Sequence, residues 1–270
     1  YERTIRQSTP ADLQQFYSTY YVPNNMVISI AGDVTVEQAI DRASKAFAGV
    51  PEGRLPTNRG MPDERLDRCK LRAAETDLAA NYASLMLGWL APGMGSSDFA
   101  AMAVAANALG GGKGSIMFRE LRSKLGIYDV GAMYPRHKYQ SHVLAYAFTN
   151  PFKASLPSLT ANVVLEDVKA ALTSEVDKLK EEPLSDKELV RAKGYTIGSY
   201  ALQHQHIFDR AFYLAWLEAV GPGYEYDRRF ADDVEKVTAE DVRQVARKYL
   251  TNYAAVVLLP KTESPEADGG

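Results

Sequence analysis

Residues Asn107 to Gly131 read NALGGGKGSIMFRELRSKLGIYDVG, which runs in order through a helix end, three glycines, a short amphipathic helix with two arginines, and a strand opening on a tyrosine. Helix and strand signals so close together imply a layered fold of both. Glycine costs roughly 0.5 to 1 kcal/mol against alanine in regular structure, so Gly110, Gly111 and Gly112 together require a reason. A helix stop followed by a wide turn is one reason. Backbone that flexes, or that lies close to a bound chain, is the other. Ser115 stands where a cap for the next helix belongs, Met117, Phe118 and Leu121 share its inner face, and Gly126 closes it two residues before Tyr128. Arg122 and Tyr128 thus flank one helix-to-strand corner, where their polar ends can converge on a peptide carbonyl. An exposed arginine beside a half-buried strand tyrosine is the plainer reading of the same spacing.

Outward from this stretch the pattern is regular. Downstream, Tyr128 to Tyr134 and His142 to Thr149 have the spacing of an antiparallel hairpin. A helix with Leu159, Val163, Leu172, Val176 and Leu179 follows. Ser185 with Glu188 then caps a longer helix expected to reach Gly221, and a final helix after Thr238 leads to a strand at Ala254 to Leu259. Upstream, a small-residue helix from Asp98 to Leu109 follows two strands, Leu66 to Ala74 and Asn81 to Leu90. Cys69 falls in the first of these and reads as a buried small hydrophobe.

The first 49 residues read as helix, strand and helix. Thr9, Pro10 and Asp12 open the first helix, Met26 to Ala31 is an apolar run of strand length, and Thr35 with Gln38 forms a capping box. Val50 to Pro62 holds three prolines without periodicity and reads as a linker. Thr9, Asp12, Gln15 and Tyr20 recur at identical spacing as Thr238, Asp241, Gln244 and Tyr249, with an apolar run after each. The chain is therefore expected to carry the ends of two related units, the first without its beginning. The divisions are 1–49, a linker at 50–62, a complete α+β domain at 63–260 and a mobile tail at 261–270. That domain should be a mostly antiparallel sheet with helices on one face. An open strand edge at 26–30 seeks a partner, which makes a homo-oligomer one expectation.

Composition narrows the function. A net charge of -3 carries no basic stripe, which argues against nucleic acid as a partner. No apolar run approaches the 18 residues of a membrane span. His137, His142, His204 and His206 stand in no H-x-x-E-H or H-E-x-x-H context. His204 and His206, placed inside the long helix, would point about 200 degrees apart, so no metal site is expected there. GGGKGS is not a phosphate loop, since Gly114 follows Lys113 and a helix precedes the glycines where a strand is required. A serine or cysteine nucleophile has no support: there is no G-x-S-x-G, and Cys69 has no recognisable base partner.

The glycine run, the phenylalanine, the Leu121-Arg122 pair, Gly126 and the Y-x-V-G-A at Tyr128 to Ala132 together resemble the second domain of the pitrilysin and insulinase family of zinc peptidases, the inverzincins. The resemblance extends from about Thr9 to Pro260. One departure stands out: many members place six residues between this arginine and tyrosine, and here there are five. The resemblance implies a clam-like chamber for unfolded peptides, with zinc and a general-base glutamate in a facing domain or subunit. This chain would contribute no catalytic residue and no metal ligand. Arg122 and Tyr128 would grip the substrate carbonyl, and Gly110, Gly111 and Gly112 its backbone. The same resemblance implies a periplasmic location, as in exported bacterial relatives. A structural subunit that keeps the fold without proteolysis is the alternative.

Overall fold

The computed structural model describes residues 2–57, 64–76, 82–149 and 161–260. Along the chain lie α1 (Glu2–Gln7), α2 (Pro10–Tyr20), α3 (Val36–Ala46), β1 (Lys70–Thr76), β2 (Ala83–Ala91) and α4 (Phe99–Gly110). A π-helical turn (Phe118–Arg122) runs into α5 (Ser123–Leu125), then come β3 (Ile127–Met133) and β4 (Ser141–Thr149). The remainder is α6 (Ala161–Glu181), α7 (Asp186–Leu202), α8 (Ile207–Val220), α9 (Tyr226–Lys236), α10 (Ala239–Tyr249) and β5 (Tyr253–Pro260). Contacts divide the chain into two compact units: Tyr1–Pro62 with Gln203–Asp227, and Asp63–Leu202 with Arg228–Gly270.

In the larger unit five strands lie in the order β1-β5-β2-β4-β3, with β1 parallel to β5 and every other pair antiparallel. This is the expected α+β sheet. Alternation along β2 explains its two faces: Ala83, Leu85, Leu87, Trp89 and Ala91 are buried, while Met86 is exposed and Ser84, Gly88 and Leu90 are half-buried. Helices α4, α6 and α10 lie on the buried face. The opposite face keeps Met86, Val256 and Leu258 about two-fifths exposed. Of the twelve residues of α4 ten are buried, which a helix apolar all round requires. Its alanines let the sheet, α7 and α10 all approach it closely.

In the smaller unit, α2 and α3 carry the capping boxes read from sequence, Thr9 with Asp12 and Thr35 with Gln38. Three features differ from the expectations. Residues 26–31 form no strand, because among the described residues no neighbour pairs with them. The long helix expected after Ser185 is two helices, α7 and α8, interrupted by a polar turn at 203–206. His206 sits there in an extended conformation at the start of α8. His204 and His206 thus occupy a turn, where no helix axis fixes the angle between them. Cys69 is exposed and lies just before β1, an edge strand whose residues 70–74 are exposed as well. Helices α1 and α9 were not legible, and Leu159 and the tail from 261 lie outside the described residues.

Candidate functional site

The glycine run is shaped by its surroundings. Helix α4 ends on it, with the Gly111 N–H donating to the Asn107 carbonyl at 3.0 Å. A Cβ on Gly110 would lie 1.7 Å from the backbone nitrogen of Ala132, so only glycine lets the helix end reach β3. Gly112 adopts φ +72, and a Cβ there would stand 2.7 Å from the Tyr195 ring. Internal packing therefore supplies a reason for the glycines without a bound chain. Beyond the run, buried Ser115 accepts a hydrogen bond from the Phe118 N–H at 3.4 Å, and Met117 and Leu121 are buried as expected.

Two local irregularities then aim the arginine and the tyrosine. The turn at Phe118–Arg122 is π-helical, which inserts extra backbone into the helix and is frequent at functional sites. It leaves the Arg122 guanidinium 5.0 Å above the half-buried Phe118 ring. Gly126 ends the helix in the left-handed region at φ +64. In β3, Ile127 pairs with Thr149 and Asp129 with Phe148, so Tyr128 is the additional residue of a bulge. Tyr128 and Asp129 are both exposed as a result. Arg122 Nε donates to the Tyr128 carbonyl at 3.2 Å. Among the described residues, the Arg122 terminal nitrogens and the Tyr128 hydroxyl bond to nothing. The four N–H groups on the Arg122 terminal nitrogens, and the Tyr128 hydroxyl, are open to an external carbonyl or carboxylate oxygen.

Three residues of α7 border this segment: Glu188, expected from sequence only as a capping residue, and Arg191 and Tyr195, which no motif marked. Glu188 pairs with Arg119 at 2.7 Å. Arg191 donates through Nη1 to the Gly111 carbonyl and through Nη2 to those of Asn107 and Ala108, each at 3.1 Å. Burial, with the like charge of Arg119 adding to it, pulls Arg191 below its ordinary pKa. Tyr195 lies against Gly111 and Gly112. Spaced as i, i+3 and i+7, the three share one helix face, and that spacing was the available signal. Near the corner, burial first and then the charge of Asp129 push the Tyr146 phenol above its ordinary value.

Among the described residues no group of three His, Cys, Asp or Glu side chains could hold a metal ion. His204 lies on Tyr213, with ring centroids 4.5 Å apart, and its Nε2 is 3.1 Å from Asp227. No helix among the described residues is long and apolar enough to cross a membrane.

Residues 8–195 match the family model described as the peptidase M16 inactive domain. An uncharacterized zinc protease of Streptomyces coelicolor is 29% identical over 259 residues, covering 92% of this chain and 52% of that protein. The chain thus spans about half the length of that relative. Among solved structures, a protease from Helicobacter pylori superposes with TM-score 0.83 at 21% identity, over 96% of this chain and 61% of the other. A chain of complex III2 from Candida albicans does so at 0.80 and 15% identity, over 95% and 60%. These likenesses show a shared fold.

Proposed function

Because the chain belongs to the peptidase M16 inactive-domain family, we propose that it is the substrate-gripping, non-catalytic half of a zinc peptidase acting on unfolded peptides. The observation that carries this is the corner where Arg122 bonds the Tyr128 backbone, while its terminal nitrogens and the Tyr128 hydroxyl have no partner among the described residues. Among the described residues no side chains fit a zinc site, and on this reading the metal is held by a partner domain or subunit that closes over the peptide. When bound there, zinc polarises the peptide carbonyl and activates water.

What this chain does is hold the peptide. The Arg122 guanidinium binds a backbone carbonyl through the nitrogens left over from its bond to Tyr128. The Tyr128 hydroxyl donates to the scissile carbonyl oxygen as negative charge develops on it, a contact stronger in the transition state than in the ground state. The exposed sheet face with Met86, Val256 and Leu258 gives apolar side chains of the peptide a surface to lie on.

The test is turnover by the complete peptidase, this chain with its zinc-bearing half. Tyr128→Phe should lower the turnover number about 100-fold to 1000-fold with folding unchanged, the usual cost of one lost donor to a developing oxyanion. Arg122→Ala should also raise KM, since the arginine grips before reaction. Lys113→Ala, at an exposed cation, is the control. Parent turnover in the Arg122→Ala, Tyr128→Phe double variant removes the gripping role. The chain would then be a structural subunit of the kind the complex III2 likeness suggests.

A further inference from the structure

We infer that Glu188, Arg191 and Tyr195, the stripe along one face of α7, are positioning residues that set where Arg122 stands; this rests on the gripping role proposed for Arg122. Arg191 holds both sides of the bend at the glycine run. Nη2 takes the carbonyls of Asn107 and Ala108 at the end of α4, and Nη1 takes that of Gly111 just beyond. The Asn107 carbonyl, which also accepts from the Gly111 N–H, takes Arg191 as a second donor, and a cation at the end of a helix meets the negative end of its dipole. A lysine ammonium is a point charge, whereas the planar guanidinium spans three acceptors in fixed directions.

Tyr195, one turn further along α7, fills the space beside the bend: a Cβ on Gly111 would lie 2.8 Å from its Cδ1, and one on Gly112 2.7 Å from its Cε2. Glu188 acts at the other end of the segment, binding Arg119 inside the π-helical turn that ends on Arg122. Helix α7 thus grips the 111–119 segment at both ends, and Arg122 follows within a turn of the second grip. Arg191 Nε is buried and has no acceptor. A buried donor left unpaired is a cost that a residue serving only as packing would shed. The guanidinium is kept for the three carbonyls its terminal nitrogens reach. None of these three side chains need touch the peptide. A displacement of about 1 Å in a gripping group can cost about 100-fold in rate, so residues fixing that position carry catalytic weight.

A double-mutant cycle on the complete peptidase, read as kcat/KM on an unfolded peptide, tests this. Arg191→Met should lower kcat/KM about 10-fold to 100-fold when Arg122 is present. In the Arg122→Ala background it should lower it by less than about 3-fold, because the group it positions is gone. Added guanidinium ion should restore part of the loss in Arg191→Ala, and Arg191→Lys, with charge but no fork, should recover little. Thermal melting of each variant accompanies the rates. Equal losses in both backgrounds overturn the inference, as does a loss that guanidinium does not touch. Failure of both Arg191→Met and Arg191→Lys to fold also overturns it and makes Arg191 a packing residue. If Arg122→Ala alone has no effect, the gripping role itself is what fails.

Discussion

Helix α2 with residues 26–31, and helix α10 with β5, are two copies of one local design with opposite fates. The capping boxes are nearly superposable. Thr9 N–H and Thr238 N–H donate to the carboxylates of Asp12 and Asp241 at 2.8 and 2.9 Å, the hydroxyls do so at 2.7 Å in both, and each helix has eleven residues. Beyond the cap they part. Val242 and Val245 are 0% and 4% exposed on α10, and their counterparts Leu13 and Phe16 are 66% and 58% exposed on α2. β5 lies between β1 and β2, while residues 26–31 form no strand. Tyr249 and Lys248 tie α10 to Asp98 at the head of α4, whereas among the described residues the Tyr20 ring, at the matching position, lies tilted against Phe16 of its own helix. The contrast teaches that capping is a property of a dozen residues, and burial a property of what lies across from them.

The sharpest way to break the comparison is to charge both helices. Val242→Asp places an unpaired carboxylate in the core and should cost more than about 4 kcal/mol in urea unfolding of the chain. Leu13→Asp, its counterpart, should stay within about 0.5 kcal/mol. Comparable losses from both would mean that α2 is buried after all. If the partner domain completes the first unit, Leu13→Asp should become costly in the complete protein.

A smaller effect is expected where α10 meets α4. Tyr249→Phe removes one hydrogen bond to a carboxylate and should cost about 1.5 to 3 kcal/mol, while Tyr20→Phe should cost nothing measurable. The same contact has a pH signature. Hydrogen bonds from Lys248, then Tyr249, hold the Asp98 carboxyl below its ordinary range. A carboxylate depressed in the folded state contributes stability above its unfolded pKa of about 3.9 and loses it as the pH falls through the folded value. Lys248 is raised by the same bond, so its share is lost only as the pH rises through its folded value. The difference in urea midpoint between the parent and Asp98→Asn should therefore shrink on acidification from about pH 6 to about pH 3.

The smallest difference is expected at the caps themselves. Thr238→Ala and Thr9→Ala should each weaken their helix by about 1 kcal/mol, with the two values alike. Hydrogen exchange then separates the strands: amides of 254–259 should be protected to the level of global unfolding and those of 26–31 should exchange freely. Equal protection would show that residues 26–31 are paired in solution, as self-association through that edge requires.

Helix α4, the hairpin of β3 and β4 and the Ser185–Glu188 cap were legible because each rests on residues close in sequence, and the inward side of Met117 and Leu121 because helical spacing marks it. At the corner, the identities of Arg122 and Tyr128 were legible and their geometry was not. The π-helical turn and the bulge at Tyr128 each answer to packing against a distant segment, and neither has a composition of its own. Arg191 was invisible for the same reason: its three acceptors lie 80 to 84 residues away. The break at 203–206 was missed because a polar QHQH stretch is as compatible with a helix surface as with a turn.

By itself the sequence determined the alternation that builds the two-faced sheet, the caps that start α2, α3 and α10, the repeat that relates two of them, and the absence of an H-x-x-E-H motif. These depend on local hydrogen bonding and on periods of two and 3.6 residues. Only the tertiary structure decided that one copy of the repeated run became a central strand and the other stayed unpaired, because a strand's backbone groups are satisfied by a neighbour and never from within. It likewise decided why three glycines stand together: Gly110 meets β3, and Gly111 and Gly112 meet Tyr195, contacts across segments whose approach no local pattern encodes.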